Sequence, residues 1–189
     1  MRFARDYRGG MKGERFARMH CSVARAAAVV ADQWTVVILR DLFLGLNRYE
    51  DLRADLGIAT NVLADRLDHL VAEGVVERVA YQERPVRYAY ELTDAGRELY
   101  GTVLTLLTWG DRHRAVAGPP LVLVHETCGH AAQARVTCSH CGDELRPGEV
   151  RHTPGPGGRT EPGTALVHTV LDGAGQLGGL HGEGQLGQP

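Results

Sequence analysis

The stretch TNVLADRLDHLVAEG, residues 60–74, decides the fold of this chain. At about 100° per residue, Leu63, Leu67, Leu70 and Val71 share one face, while Asn61, Asp65, Asp68 and Ala72 project the opposite way. Thr60 stands where an N-cap belongs and Gly74 where a helix stops, so the stretch predicts a short amphipathic helix. Upstream, Val23, Ala26, Ala27 and Val30 fall at helical spacing within residues 22–32. A strongly apolar helix over Trp34 to Leu44 follows, stopped at Gly45, and a short one over Tyr49 to Leu56 is broken by Gly57.

Downstream of Gly74 the period changes to two. Val76 to Tyr81 reads as one strand; Val86, Tyr88, Tyr90 and Leu92, alternating with Arg87, Ala89 and Glu91, read as a second, with the polar tip Gln82-Glu83-Arg84-Pro85 between them. Helix, short helix, amphipathic helix and hairpin, in that order, make a winged helix-turn-helix, mainly α with a small β wing. In that architecture the amphipathic helix enters the major groove and the hairpin tip touches the neighbouring backbone or minor groove.

Asp65 and Asp68 on the outward face repel phosphates, so contact is expected at the helix's first turn, where free N–H groups and the dipole favour an anion. Thr60 and Asn61 lie there, and an Asn amide bonds adenine bidentately. Arg48, Arg84 and Arg87 are candidate backbone clamps, because Arg makes charge-assisted bonds to phosphate. Arg66 projects from the helix flank, where it either reaches a phosphate or pairs with an acid such as Asp65 or Glu73.

With 189 residues and 43% hydrophobic content the chain holds one principal domain. Nothing in the first twenty residues reads as a signal peptide and no apolar run approaches a membrane span, so a soluble, cytoplasmic protein is expected, with no membrane partner. The net charge of −2 is unevenly distributed. Residues 1–20 form a basic arm with six basic against two acidic side chains, residues 1–118 carry 17 Lys/Arg against 16 Asp/Glu, and the remainder is acidic. That balance permits double-stranded DNA as a partner without demanding it.

Residues 93–114 predict a helix capped by Thr93. Leu99, Tyr100, Val103, Leu104, Leu106, Leu107 and Trp109 cover too much of its circumference for packing on one side, which points to a homodimer, unless the following segment folds back over the excess. The winged domain with this dimerisation helix spans 21–116.

Residues 125–142 read HETCGHAAQARVTCSHCG. His125-x-x-Cys128-Gly and Cys138-x-x-Cys141-Gly are two knuckles of matching shape, nine residues apart, and a structural zinc held by His125, Cys128, Cys138 and Cys141 explains the pairing. The metal supplies folding energy that a ribbon-like extension over 121–151 cannot obtain from a core. His130 and His140 are substitute candidates for the fourth ligand. A reversible Cys138/Cys141 dithiol is the competing reading. A catalytic zinc is disfavoured, since four protein ligands leave no open position, and no nucleophile triad, phosphate loop or dinucleotide fingerprint is found; an enzyme is not expected. From 152 to 189 the composition turns to Gly and Pro, with GQLG twice, and reads as a disordered tail with at most a short helix near 164–171.

The run Cys21-Ser22-Val23-Ala24-Arg25, then Trp34, Ile38-Leu39-Arg40, Leu42, Gly45 and Arg48-Tyr49, closely resembles the HxlR-type transcriptional regulators, relatives of the MarR-type group. The resemblance continues through Leu63, Arg66-Leu67, Leu70, Gly74-Val75-Val76, Arg78, Tyr81, Arg84-Pro85, Tyr88, Tyr90, Leu92-Thr93, Gly96, Leu99 and Trp109-Gly110, covering roughly 20–114. It implies a homodimeric DNA-binding regulator, usually a repressor and sometimes an activator, acting on nearby operons. Members often answer to electrophiles or oxidants through a cysteine near the N-terminus, a position that Cys21 matches; a small buried cysteine at a helix start is the plainer alternative. Tyr49 stands where Phe is commoner, Thr60 where Ser is, and Ala31-Asp32-Gln33 replaces a more glycine-rich lead. These departures leave the fold secure and the base preference open, and the effector is not named. The alternative function is a protein-interaction adaptor using the same winged helix and knuckles without a specific DNA site.

Overall fold

The computed structural model describes residues 15–167 and Leu171. After helical residues 15–17, its N-terminal half runs through α1 (Ser22–Val30), α2 (Gln33–Phe43), α3 (Tyr49–Leu56) and α4 (Thr60–Ala72). The apolar helix α2 is the hub, touching α3, α4 and the hairpin that follows. Ile38 and Leu39 of α2, Leu52 of α3, and Leu63, Leu67 and Leu70 of α4 are buried together with Val76. Each such side chain contributes about 1.5–3 kcal/mol on leaving water. The face of α4 that periodicity assigns to the core is therefore the one that packs, while Asn61, Asp65 and Asp68 are exposed.

The wing is β1 (Val76–Glu83) paired antiparallel with β2 (Val86–Leu92), from Val76↔Leu92 to Glu83↔Val86. A register shift between Ala80 and Gln82 admits Tyr81 as an extra residue, after which pairing resumes at Gln82↔Arg87. The first strand thus runs two residues beyond its sequence-based end, and the tip shrinks to Arg84 and Pro85. On the other side of β2, Arg48 bridges to Ala89 and the Tyr90 N–H donates to the Asn47 carbonyl at 2.8 Å, joining the segment before α3 to the sheet.

The helix expected over 93–114 is divided into α5 (Asp94–Glu98) and α6 (Tyr100–His113), with Leu99 between them. Thr93 caps α5 as expected: its Oγ1 accepts from the Gly96 N–H at 3.1 Å and donates to the Gly74 carbonyl at 2.7 Å. The Leu99 N–H closes a tight turn to the Gly96 carbonyl, which lets Leu99 reach the core and α6 lie along α2. Phe43 and Tyr100 rings meet there with centroids 4.9 Å apart.

Beyond α6 lie β3 (Leu123–His125) and β4 (His130–Ala132), an antiparallel hairpin, then a second small hairpin marked by the Thr137↔Glu144 bridge. Where the sequence reads as a disordered tail from 152, residues 152–155 are irregular and short turns follow at 156–157 and 162–166. In this segment Glu161 pairs with His20 at 3.0 Å, and the Pro162 carbonyl accepts from the His20 N–H at 3.1 Å. The remainder of the tail, apart from Leu171, and residues 1–14 of the basic arm lie outside the described residues. Among the described residues no single helix is long and apolar enough to cross a membrane.

Candidate nucleic-acid interface

The turn between α3 and α4 is Gly57-Ile58-Ala59. Gly57 closes α3 with φ of 58°, a left-handed conformation that costs glycine nothing, and buried Ile58 anchors the turn to the core. Ala59 then occupies the N-cap of α4, with no side chain capping the helix. This corrects the expectation for Thr60, which is the first helical residue and not the cap. Val62 and Leu63 N–H groups both turn back to the Ala59 carbonyl. An end without a side-chain cap keeps the first N–H groups available to an outside anion, with the helix dipole behind them. Thr60 and Asn61 are both exposed at that end.

The preceding helix fixes this end in space. The Tyr49 hydroxyl donates to the Thr60 carbonyl at 2.7 Å, and burial, followed by the neighbouring Tyr90 and Glu50, holds that phenol above its ordinary pKa and therefore as a donor. Next to it in sequence, the Arg48 guanidinium lies over the Tyr81 ring at 4.7 Å, on the wing. Consecutive residues thus touch the two parts of the molecule expected to meet nucleic acid. Arg48, Arg84 and Arg87 are all exposed, the latter two at the wing tip beside exposed Val86 and Tyr88.

Arg66 is placed differently. Its side chain is 16% exposed and its Nη1 lies 3.6 Å from Asp32 Oδ2. Of the two readings of Arg66, a phosphate contact or a pair with an acid, the structure shows a pair with an acid, Asp32. Asp32 itself caps α2, accepting from the Trp34 N–H at 3.0 Å, so one carboxylate ties the start of α2 to α4. An Asp directly before an apolar helix is a capping signal, and Asp32 was legible on that ground. The Asp68 charge that faces outward on α4 is matched by Arg78 of β1, which is ion-paired with it; Asp65 stays on the exposed face. Deeper in the fold, Arg40 bridges Asp41 and Asp55, linking α2 to α3. Asp41 is buried, and desolvation raises its pKa against the opposing effect of Arg40.

Cys21 is the N-cap residue of α1 and is partly exposed. Arg25, one turn on, donates its Nε to the Met19 carbonyl at 2.9 Å. Gly163 lies so close that a Cβ there would stand 3.1 Å from the Cys21 Cβ, so the turn at 161–163 rests against this cysteine.

In the extension the four sequence-predicted ligands form two separate pairs. His125 Nδ1 lies 3.4 Å from Cys128 Sγ at the tip of the β3–β4 hairpin. Cys138 and Cys141 face each other at the tip of the second hairpin, where the N–H groups of Cys141 and His140 are turned toward the Cys138 thiol and lower its pKa. Among the described residues no three His, Cys, Asp or Glu side chains gather closely enough to hold a metal ion, so the four expected ligands stand as two separate pairs. The link between the hairpins is anchored elsewhere: the Ala134 N–H donates to Thr108 Oγ1 of α6 at 3.2 Å. That contact covers one side of α6 and leaves Tyr100, Leu106 and Trp109 exposed.

The sequence profile described as HxlR-like helix-turn-helix matches residues 29–117. An uncharacterized HTH-type transcriptional regulator of Mycobacterium tuberculosis is 43% identical over 137 residues, 72% of this chain and 87% of that protein. An uncharacterized HTH-type regulator of Bacillus subtilis, YtcD, is 33% identical over 51% of this chain and 77% of its own length. Among solved structures, the proposed transcription factor PA1607 superposes with a TM-score of 0.67 at 31% identity, covering 75% of this chain and 99% of its own. The proposed transcription factor PA1374 of Pseudomonas aeruginosa does so with a TM-score of 0.54 at 31% identity, over 77% and 100%. The winged helix, its uncapped α4 and these relatives together make the chain a member of the HxlR-like helix-turn-helix family of DNA-binding transcription regulators.

Proposed function

We propose that this protein is a homodimeric, sequence-specific regulator, acting as a repressor, that seats α4 in the major groove and closes the wing on the flanking backbone. The observation that carries this is the pairing of Arg48 with the wing and Tyr49 with the start of α4, because it holds both DNA-facing elements to one short segment. In this reading Asn61 reads a base edge, Thr60 and the free N–H groups of α4 take a phosphate, and Arg48, Arg84 and Arg87 clamp the backbone. Exposed Tyr100, Leu106 and Trp109 on α6, with Val23 78% exposed on α1, are the surface that a second copy covers. Cys21 is the thiol through which an oxidant acts.

The experiment is binding of the full chain to a fluorescent duplex carrying its own upstream region, against a scrambled duplex, across a salt series with and without diamide, with molecular mass from light scattering. Preference for the upstream duplex by a dimer is expected, with loss on oxidation that Cys21→Ser prevents. Replacing Arg84 and Arg87 together by Ala flattens the salt slope by roughly 0.9 per lost phosphate contact, similarly for both duplexes. An unchanged slope refutes the wing clamp. No preference between duplexes replaces the regulator reading with a protein-interaction adaptor.

A further inference from the structure

We infer that the extension is a metal site: one zinc ion held by His125 and Cys128 from the first hairpin and by Cys138 and Cys141 from the second, drawing the two tips together. It is independent of how, or whether, α4 reads DNA.

Three observations carry it. First, the two tips share one backbone design. The Gly129 N–H donates to the His125 carbonyl at 2.7 Å and the Gly142 N–H to the Cys138 carbonyl at 2.9 Å, in both cases four residues on. Both glycines are left-handed, with φ of 68° and 81°, so each chain turns back under its two donors. Two unrelated surface turns have no reason to repeat this geometry together with a donor at the first and fourth positions.

Second, the pair spacing fits a metal. With Zn–S near 2.3 Å and Zn–N near 2.05 Å at the tetrahedral angle, a coordinated nitrogen and sulfur stand ~3.6 Å apart. His125 Nδ1 and Cys128 Sγ stand 3.4 Å apart already. The second tip turns the His140 and Cys141 N–H groups toward the Cys138 sulfur, the arrangement that supports a metal-bound thiolate.

Third, the histidines are distinguishable. His130 directs its Nδ1 to the Cys128 carbonyl at 2.6 Å, which leaves only its Nε2 for a metal, whereas the His125 Nδ1 already stands at ligand spacing, 3.4 Å, from the Cys128 thiol. His125 is therefore the nitrogen ligand. One imidazole and three thiolates suit zinc over a hard cation, and binding releases one proton from each of the three thiols as its Zn–S bond forms. Closure bends the four-residue link from Gln133 to Val136 about its anchor on Thr108, so the metal ties the extension to α6.

The test uses the full reduced chain, loaded with cobalt(II) as a visible probe and with zinc for stoichiometry by elemental analysis. The expected result is one metal per chain with the absorption of tetrahedral, thiolate-bound cobalt and a sulfur count of three by X-ray absorption. Cys128→Ser and Cys141→Ser each abolish stoichiometric retention against a chelator, and His125→Ala abolishes it while His130→Ala does not. Retention unchanged in Cys128→Ser, with loss only in Cys141→Ser, overturns the joint site in favour of an isolated dithiol. Loss in His130→Ala but not in His125→Ala overturns the ligand assignment. Far-UV circular dichroism of each variant checks that the winged helix, which buries none of these residues, remains folded; a variant that unfolds it overturns the separation of the extension from the core.

Discussion

Gly96 gives the sharpest check on the packing that sets the wing against α4. A Cβ at this position would lie 2.1 Å from the Val75 carbonyl oxygen and 3.1 Å from Leu92 Cδ2. Carbon and oxygen ordinarily approach no closer than about 3.3 Å, so Gly96→Ala forces the two backbones roughly 1 Å apart. Val75 cannot yield freely, because its carbonyl accepts from the Thr93 N–H at 3.1 Å. Overpacking costs about 1–3 kcal/mol and each weakened hydrogen bond about 0.5–1.5 kcal/mol, which sums to about 3 kcal/mol. For a domain of this size that lowers Tm by roughly 10–20 °C. Gly101 supplies the opposite sign: it is exposed in α6 with nothing within 4 Å of a built Cβ. Gly101→Ala is therefore expected to stabilise by about 0.5–1 kcal/mol through reduced chain entropy. Urea and thermal unfolding of the full chain, followed by circular dichroism, measures both. A Gly96→Ala variant within about 1 kcal/mol of wild type refutes the reasoning, as does a Gly101→Ala variant that loses as much.

Other expectations are smaller. Asn61→Ala redistributes preference among operator variants by about 1–3 kcal/mol at one base position in a competition assay; a uniform loss across variants counts against base reading. Burial raises the Asp41 pKa above 3.8, so the folded chain keeps a proton that the unfolded chain has released. The stability from that proton is complete below 3.8 and is lost as pH rises through the folded value, so Asp41→Asn flattens this limb of a Tm-against-pH profile, and parallel profiles exclude the effect. Tyr49→Phe costs about 0.5–1.5 kcal/mol in unfolding free energy and alters DNA affinity without changing the salt slope; a changed slope means Tyr49 itself meets phosphate.

The parts of this fold that were legible in the sequence are those governed by local periodicity. Leu63, Leu67 and Leu70 recur at the helical period and are buried; Val76 to Leu92 alternates and makes the wing. What periodicity cannot reach is pairing between distant residues. Arg66 finds Asp32 thirty-four positions back, and Asp68 finds Arg78 across the turn into β1, so the net charge that α4 presents is set by tertiary contacts. The apolar spacing of residues 93–114 carries no sign of the break at Leu99, which follows from Gly96 being the point where backbone meets backbone. In the extension the residue types and spacing were legible, but the distance between the two tips depends on where Ala134 is anchored, which no local pattern encodes. The docking of 161–163 on His20 joins segments some 140 positions apart and was invisible for the same reason.

The hydroxyl of Tyr49 has an evolutionary consequence. Tyr and Phe codons differ by a single nucleotide, and that exchange removes one oxygen, the atom that holds the Thr60 carbonyl at 2.7 Å. A lineage crossing this step changes how firmly the first turn of α4 is held against α3 while every side chain facing outward stays the same. Operator preference can then drift between sister proteins with identical DNA-facing residues, and aligning those residues alone gives no sign of it.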